Sequence, residues 1–295
     1  SNTEILSIYN SESGVQTPQC NNGIAETGEE CDGQDFGGQT CSSVGNFVGG
    51  TLVCNSDCTI NIDSCDAPQP IDCSDPNHVF CDDFEDGDFA EYDDYDGNPS
   101  TTNQIILDAG PNGISGNRVA RLRVLSGERG TADLVKVLPS SHNRLYMRWY
   151  QKYEPGFNFL APNHGSGLHA GNRNFLGVAG NRPEPNEWYS TWLEHIDGEM
   201  NLYSYYAGMY QDCVDPNGMC WGDHFPCFID EGENYCEKPQ HRDAVPTITV
   251  TDNVWYCFEI MLDGGIPTST ESGASGQQNF WVDGQEQGPW TDLWH

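Results

Sequence analysis

The stretch Arg144-Leu-Tyr-Met-Arg-Trp-Tyr-Gln-Lys-Tyr153 constrains the fold most, because it divides two chemistries between two faces with a period of two residues. Arg144, Tyr146, Arg148, Tyr150 and Lys152 point one way, while Leu145, Met147, Trp149 and Tyr153 point the other. That is a strand with one core face and one row of cations and phenols. Such a row can stack on sugar rings and hydrogen-bond hydroxyls or carboxylates. It can equally be a solvated outer face, since aromatic residues suit strands.

The same period recurs in short runs separated by Gly, Asn and Pro: 101–107, 118–125, 132–138, 175–179, 188–196, 201–209, 245–250, 255–262 and 278–282. No segment carries a long 3.6-residue period, so the sequence predicts an all-β chain, a jelly-roll β-sandwich. A second, smaller part is set apart by its cysteines. Six of the thirteen, Cys20, Cys31, Cys41, Cys54, Cys58 and Cys65, fall among glycines and acids within 20–65. A core that small relies on disulfides, here three, and disulfides imply an oxidising, extracellular or cell-surface location. A zinc reading of Cys54 and Cys58 is the weaker one in such a compartment, with no histidine near. Residues 1–19 form a leader, 66–77 a linker, and 78–295 the jelly roll with a cysteine-rich insertion at 210–243.

The run Gly-Glu-Glu-Cys-Asp-Gly33 with the later Gly-Gly-Thr-Leu-Val-Cys54 resembles the cysteine-rich repeat common in secreted proteins of myxobacteria, which implies a surface protein. Within 78–290 the run from Leu145 to Gly171, Trp255-Tyr-Cys-Phe-Glu259 and Asn279-Phe-Trp-Val-Asp-Gly284 resemble concanavalin-like jelly rolls, among them alginate and glucuronan lyases and related carbohydrate-binding domains. The resemblance implies a polysaccharide partner. It also suggests Cys81 and Cys257 as partners in one domain, which leaves Cys73 odd, with Cys213, Cys220, Cys227 and Cys236 closing the insertion.

Charge refines the reading. The net charge of -33 makes nucleic acid a poor partner. No hydrophobic run is long enough for a membrane span. With no signal peptide in view, secretion implies that Ser1 is a processed start. Eight of the twelve Lys and Arg residues nevertheless lie between 118 and 152. If the strands carrying them are neighbours, Arg121, Arg123, Arg144, Tyr146, Arg148, Tyr150 and Lys152 form a carbohydrate-binding face; the alternative is ion pairing to nearby acids.

A lyase acting on uronates needs a base for the C5 proton and a group that neutralises the carboxylate. The catalytic candidates are His195, Tyr203, Tyr205 and His169, with His164 in the same Gly-rich stretch as His169. Residues 161–171 hold no Lys or Arg where the lysine-bearing loop of the lyases would stand, which favours binding over catalysis. Calcium is expected at Asp83, Glu85 and Asp86, where carboxylates crowd a strand end; the cluster Asp93, Asp94 and Asp96 reads as a solvated loop. Finally, few residues follow Gly284, so the jelly roll reads as one strand short. The β-prone leader 3–9 could then fill the open edge, either of its own chain or of a further copy, the latter building a filament.

Overall fold

Six cysteines close the first unit on itself. The computed structural model describes residues 20, 22–45, 47, 49–66, 73–95, 102–111, 113, 116–124, 132–160, 163–196, 198–209, 220–226, 229–230, 233–234 and 248–295. The chain divides into Ser1–Pro70 and Ile71–His295. In the first unit Cys20 bonds to Cys58, Cys31 to Cys54 and Cys41 to Cys65. Each bridge removes about 3 kcal/mol of chain entropy from the unfolded state. Around them lie the helical turn α1 (Cys41–Val44) and four two-residue strands: β1 (Gly49–Gly50), β2 (Val53–Cys54), β3 (Ile60–Asn61) and β4 (Cys65–Asp66). β1 pairs with β4 and β2 with β3. Among the described residues of this unit little apolar surface is buried besides the cysteines and Leu52, so the bridges are the main hold.

In the second unit β5 (Asp94–Tyr95) pairs with β8 (Leu134–Val135), and β6 (Asn103–Asp108) with β7 (Asn117–Leu122). Two four-stranded antiparallel sheets then make the sandwich. Their strands are β9 (Arg144–Lys152), β10 (Asn163–Gly171), β11 (Trp188–Ile196), β12 (Glu199–Tyr205) and β13 (Asp223–Phe225), followed by β16 (Trp255–Asp263), β17 (Gly276–Val282) and β18 (Gln285–Leu293). The short pair β14 (Ile229–Asp230) and β15 (Glu233–Asn234) lies in between in sequence. One sheet runs β10-β11-β12-β13, the other β18-β17-β16-β9. Alternate residues of both, including Leu202, Phe225, Phe258, Ile260 and Phe280, are fully buried. Each contributes roughly 1.5–3 kcal/mol by leaving water. Across the interior Ser204 Oγ donates to Gln278 Oε1 at 3.1 Å.

Four expectations are corrected here. The stretch 161–171 is not a glycine loop but contains β10, and its glycines are required by close packing. A Cβ at Gly167 would collide with Thr191 O and the Trp192 ring, and one at Gly165 would lie 2.8 Å from Leu193 O. The jelly roll is not short of a closing strand, because β18 pairs with β17 over Gln285–Leu293. Asp283 and Gly284, at φ 50° and 76°, form the tight turn that the twist of a hairpin demands, and Pro289 is tolerated because β18 is an edge strand. The missing strand that motivated strand exchange is therefore supplied by the same hairpin; the leader 3–9 lies outside the described residues.

The third correction concerns cysteines. Cys73 bonds to Cys81, eight residues away, and Cys257 is a free, buried thiol. Cys257 sits on the outward face of β16, opposite Tyr150, and burial pushes its thiol up to about 11. Cys220 is disulfide-bonded; Cys213, Cys227 and Cys236 lie outside the described residues. The strand expected at 175–179 is also absent, since Arg173–Phe175 is a 3-10 turn capped by the Asn172 side chain and Gly177 turns the chain at φ 71°.

The β17–β18 turn yields a prediction. Asp283 Oδ1 accepts the Cys257 N–H at 2.8 Å, yet burial pushes its carboxyl up to about 6. A carboxyl raised in the folded state favours folding only while protonated, so its contribution is present at low pH and lost as pH rises through about 6. Asp283→Asn keeps the acceptor and the left-handed backbone while removing the buried charge. It is expected to gain about 1 kcal/mol at pH 8, after discounting for solvent screening, and nothing at pH 4. Thermal melts at the two pH values check it.

Candidate active site

Strand alternation and register bring one group of titratable side chains together. On β11, Trp188, Ser190, Trp192 and Glu194 share the face turned away from the second sheet. Register sets Glu194 between His164 of β10 and Asn201 of β12, and Trp192 beside Tyr203, which in turn lies beside His224 of β13. The Glu194 carboxylate is 2% exposed and the His164 side chain 55%. His164 Nδ1 contacts Glu194 Oε2, while His224 Nδ1 is 3.7 Å from Glu194 Oε1. His224 Nδ1 also lies 2.9 Å from Asn201 Oδ1.

Tyr203 is the centre of this group. Its ring is sandwiched by His164, at 4.8 Å and 7° between planes, and by His224, also at 4.8 Å. Its hydroxyl lies 2.9 Å from Tyr205 Oη and accepts the Gly222 N–H at 3.1 Å. Burial pushes the Tyr203 phenol up, with Tyr205 adding to it, so it stays protonated. Burial pushes His224 down to about 3, with the nearness of His164 contributing, so it stays neutral. The arrangement joins an exposed imidazole backed by a carboxylate to a proton-bearing phenol, which suits general acid–base work.

The sequence candidates divide. Tyr203 and Tyr205 belong to this group. His195 does not, because it projects to the opposite face of β11, 1% exposed, among the rings of Tyr153, Phe157 and Phe159 at 5.1–5.8 Å. His169 lies further along β10, bonded to Ser190 Oγ and with Nε2 3.1 Å from Asn172 O, its ring over Trp188. Glu194 and His224 were not singled out in the sequence. The alternation in 188–196 places Glu194 with Trp192, and that signal could have found it.

The basic row lies on the other sheet, on its outward face, and is occupied by acids. Arg144 pairs with Asp263 at 2.6 Å, Arg148 with Glu259 at 2.9 Å and Lys152 with Asp108 at 2.6 Å. Arg121 and Arg123, on the β6–β7 ribbon, both meet Glu154, at 3.6 and 2.6 Å. Burial raises the Tyr150 phenol to about 12 beside Cys257. Tyr146 and the side chain of Arg148 remain the most open of the row, at 62% and 63% exposure.

At the acidic turn, Asp83 Oδ1 accepts the Glu85 N–H and Glu85 is taken by Arg118, whose backbone N–H it accepts at 2.9 Å. The carboxylates that converge are Asp82, Asp86 and Glu91, with one oxygen of each within 4.8 Å of the others. Of the expected set, only Asp86 belongs to it. Asp93 is engaged by Lys136 and the Val137 N–H.

No family model matches the chain, and no curated protein does. Among solved structures it is similar to alginate lyase vAL-1 from Chlorella virus, at 16% identity over 69% of this chain and 79% of that one, with a TM-score of 0.40. It is also similar to alginate lyase Aly36B, at 15% identity over 70% and 71%, TM-score 0.40, and to the PL-14 alginate lyase of Aplysia kurodai, at 14% over 63% and 69%, TM-score 0.40. At these identities the His164–Glu194–Tyr203 group stands on its own geometry.

Proposed function

We propose that the second unit is an extracellular polysaccharide lyase that cleaves uronate-containing chains by β-elimination at the His164–Tyr203 site. The observation that carries this is the stacked pair of an exposed imidazole and a protonated phenol on one sheet face. In the elimination, His164 Nε2 takes the C5 proton. The electrons of the C5–H bond form the C4–C5 double bond as the C4–O4 bond breaks, and O4 leaves with the Tyr203 proton. Hydrolysis would ask for two carboxyl groups flanking the bond. Among the described residues, Glu194 is the one carboxylate in contact with the His and Tyr group, and it is buried.

The disulfides support an oxidising, extracellular setting. Wild-type protein incubated with alginate, glucuronan and pectate, with calcium supplied, is expected to release an unsaturated product absorbing in the ultraviolet. No absorbance from any of the three overturns the proposal.

A second reading, a polysaccharide-binding surface on the outward face of β9, is favoured by the exposure of Tyr146 and Arg148. Retention on immobilised polysaccharide that is unchanged in Tyr146→Ala/Arg148→Ala excludes it.

A further inference from the structure

We infer that Glu194 is a positioning residue: its buried carboxylate holds His164 in the tautomer that carries the proton on Nδ1 and leaves Nε2 bare toward the open face. This rests on the lyase reading for its catalytic consequence, but the tautomer is a property of the protein alone.

The placement follows from strand pairing. His164 and Glu194 are register partners on β10 and β11, and β10 then slips between His164 and Gly167. That irregularity needs residues without side chains on the β11 side, which Gly165 and Gly167 provide. One imidazole therefore stands over one carboxylate at the end of the regular pairing, its ring laid flat against Tyr203. The carboxylate is 2% exposed while the imidazole is 55% exposed, so Glu194 meets little water and His164 meets much.

A carboxylate buried to this degree needs a partner. The groups packed on it are His164 from β10 and His224 from β13, with Asn201 its register partner on β12. His224 shares its Nδ1 with Asn201 Oδ1 at 2.9 Å and is more distant from the carboxylate, at 3.7 Å. Glu194 is left facing chiefly the Nδ1 of His164. An acceptor at Nδ1 draws the proton there, and the ring presents its lone pair at Nε2. When Nε2 takes a proton, the imidazolium that results lies against a negative charge.

The remaining groups around His164 are uncharged partners of the stack: Tyr203, kept protonated by burial, and Trp192, 6.1 Å away. His224 is the other titratable neighbour, and burial keeps it neutral. Glu194 is therefore the charged group that fixes which ring nitrogen of His164 carries the proton.

Two measurements test this. Nitrogen-15 shifts of the His164 ring, assigned by comparison with His164→Gln, are expected to report the Nδ1–H tautomer in wild type and a mixed or reversed tautomer in Glu194→Gln. This readout does not require turnover, so it separates failure of the positioning role from failure of the lyase reading. In the activity assay Glu194→Gln is expected to lower kcat about 10- to 100-fold with KM within about twofold. Glu194→Asp, which keeps the charge, is expected to keep the Nδ1–H tautomer, and it serves if the glutamine variant does not fold. An Nε2–H tautomer in wild type, or an Nδ1–H tautomer that persists unchanged in Glu194→Gln, overturns the inference.

Discussion

His164→Ala is expected to lower turnover of a uronate polymer by about 10²- to 10⁴-fold, the range that a positioned general base contributes. The loss should appear in kcat with little change in KM, because the imidazole gains its proton only as the C5–H bond breaks. Stability should fall as well, because the buried Glu194 carboxylate loses the imidazole that faces it, so turnover is compared per folded molecule. Tyr203→Phe is a sharper probe, because it removes one oxygen from the same stack. It abolishes the proton donor and leaves the Gly222 N–H and Tyr205 Oη without their partner, at about 1–3 kcal/mol of stability. If both variants retain activity within twofold of wild type, the reaction runs elsewhere on the protein.

Lowering the pH from 6.5 to 4 is expected to destabilise the second unit markedly. Burial pushes His224 down to about 3 and His295 to about 4, so neither takes a proton in the folded chain until well below its ordinary range. In the unfolded chain both bind protons near pH 6.5. A histidine lowered in this way stabilises the fold above the unfolded value, and the contribution is lost as pH falls. With two such groups the slope is about 2–3 kcal/mol per pH unit between 6.5 and 4. Asp283, raised to about 6, acts in the opposite sense and offsets part of it. Calorimetry across this range should show the melting temperature falling by about 10 °C or more. A flat profile would mean that both imidazoles reach water in the native state.

Much of this architecture was legible in the chain. The alternation in 188–196 coincides with β11 end to end, and β9, β16 and β17 lie within one or two residues of the runs read for them. What escaped notice escaped for local physical reasons. β10 is poor in strand-forming side chains because its neighbour approaches too closely for a Cβ at Gly167, a requirement that arises only once β11 is in place. β18 is polar and contains Pro289, which an edge strand permits and a central one forbids.

The site was half visible for the same kind of reason. Tyr203 and Tyr205 stand out as phenols alternating on one strand, whereas Glu194 acquires a role only through its register with His164, and His224 only through β13 pairing with Tyr203. The basic row was read correctly as one face, but periodicity does not say which acids stand opposite, and cross-strand pairing brings Asp263 to Arg144 and Glu259 to Arg148.

The uneven distribution of sulfur makes the two units vulnerable to different agents. The first has three bridges and almost no apolar interior, so electrons are its solvent: a reductant removes the restraint that stands in for a core. The sandwich carries its weight in aromatic and aliphatic packing, and its free thiol is sealed under the outward face of β16. Reductant opens the Cys73–Cys81 and Cys220 bridges there but leaves that packing in place, whereas protons act on its buried imidazoles. A chain built this way can lose one unit to reduction while the other stands, and lose the other to acid while the first, tied by covalent bonds, stays closed.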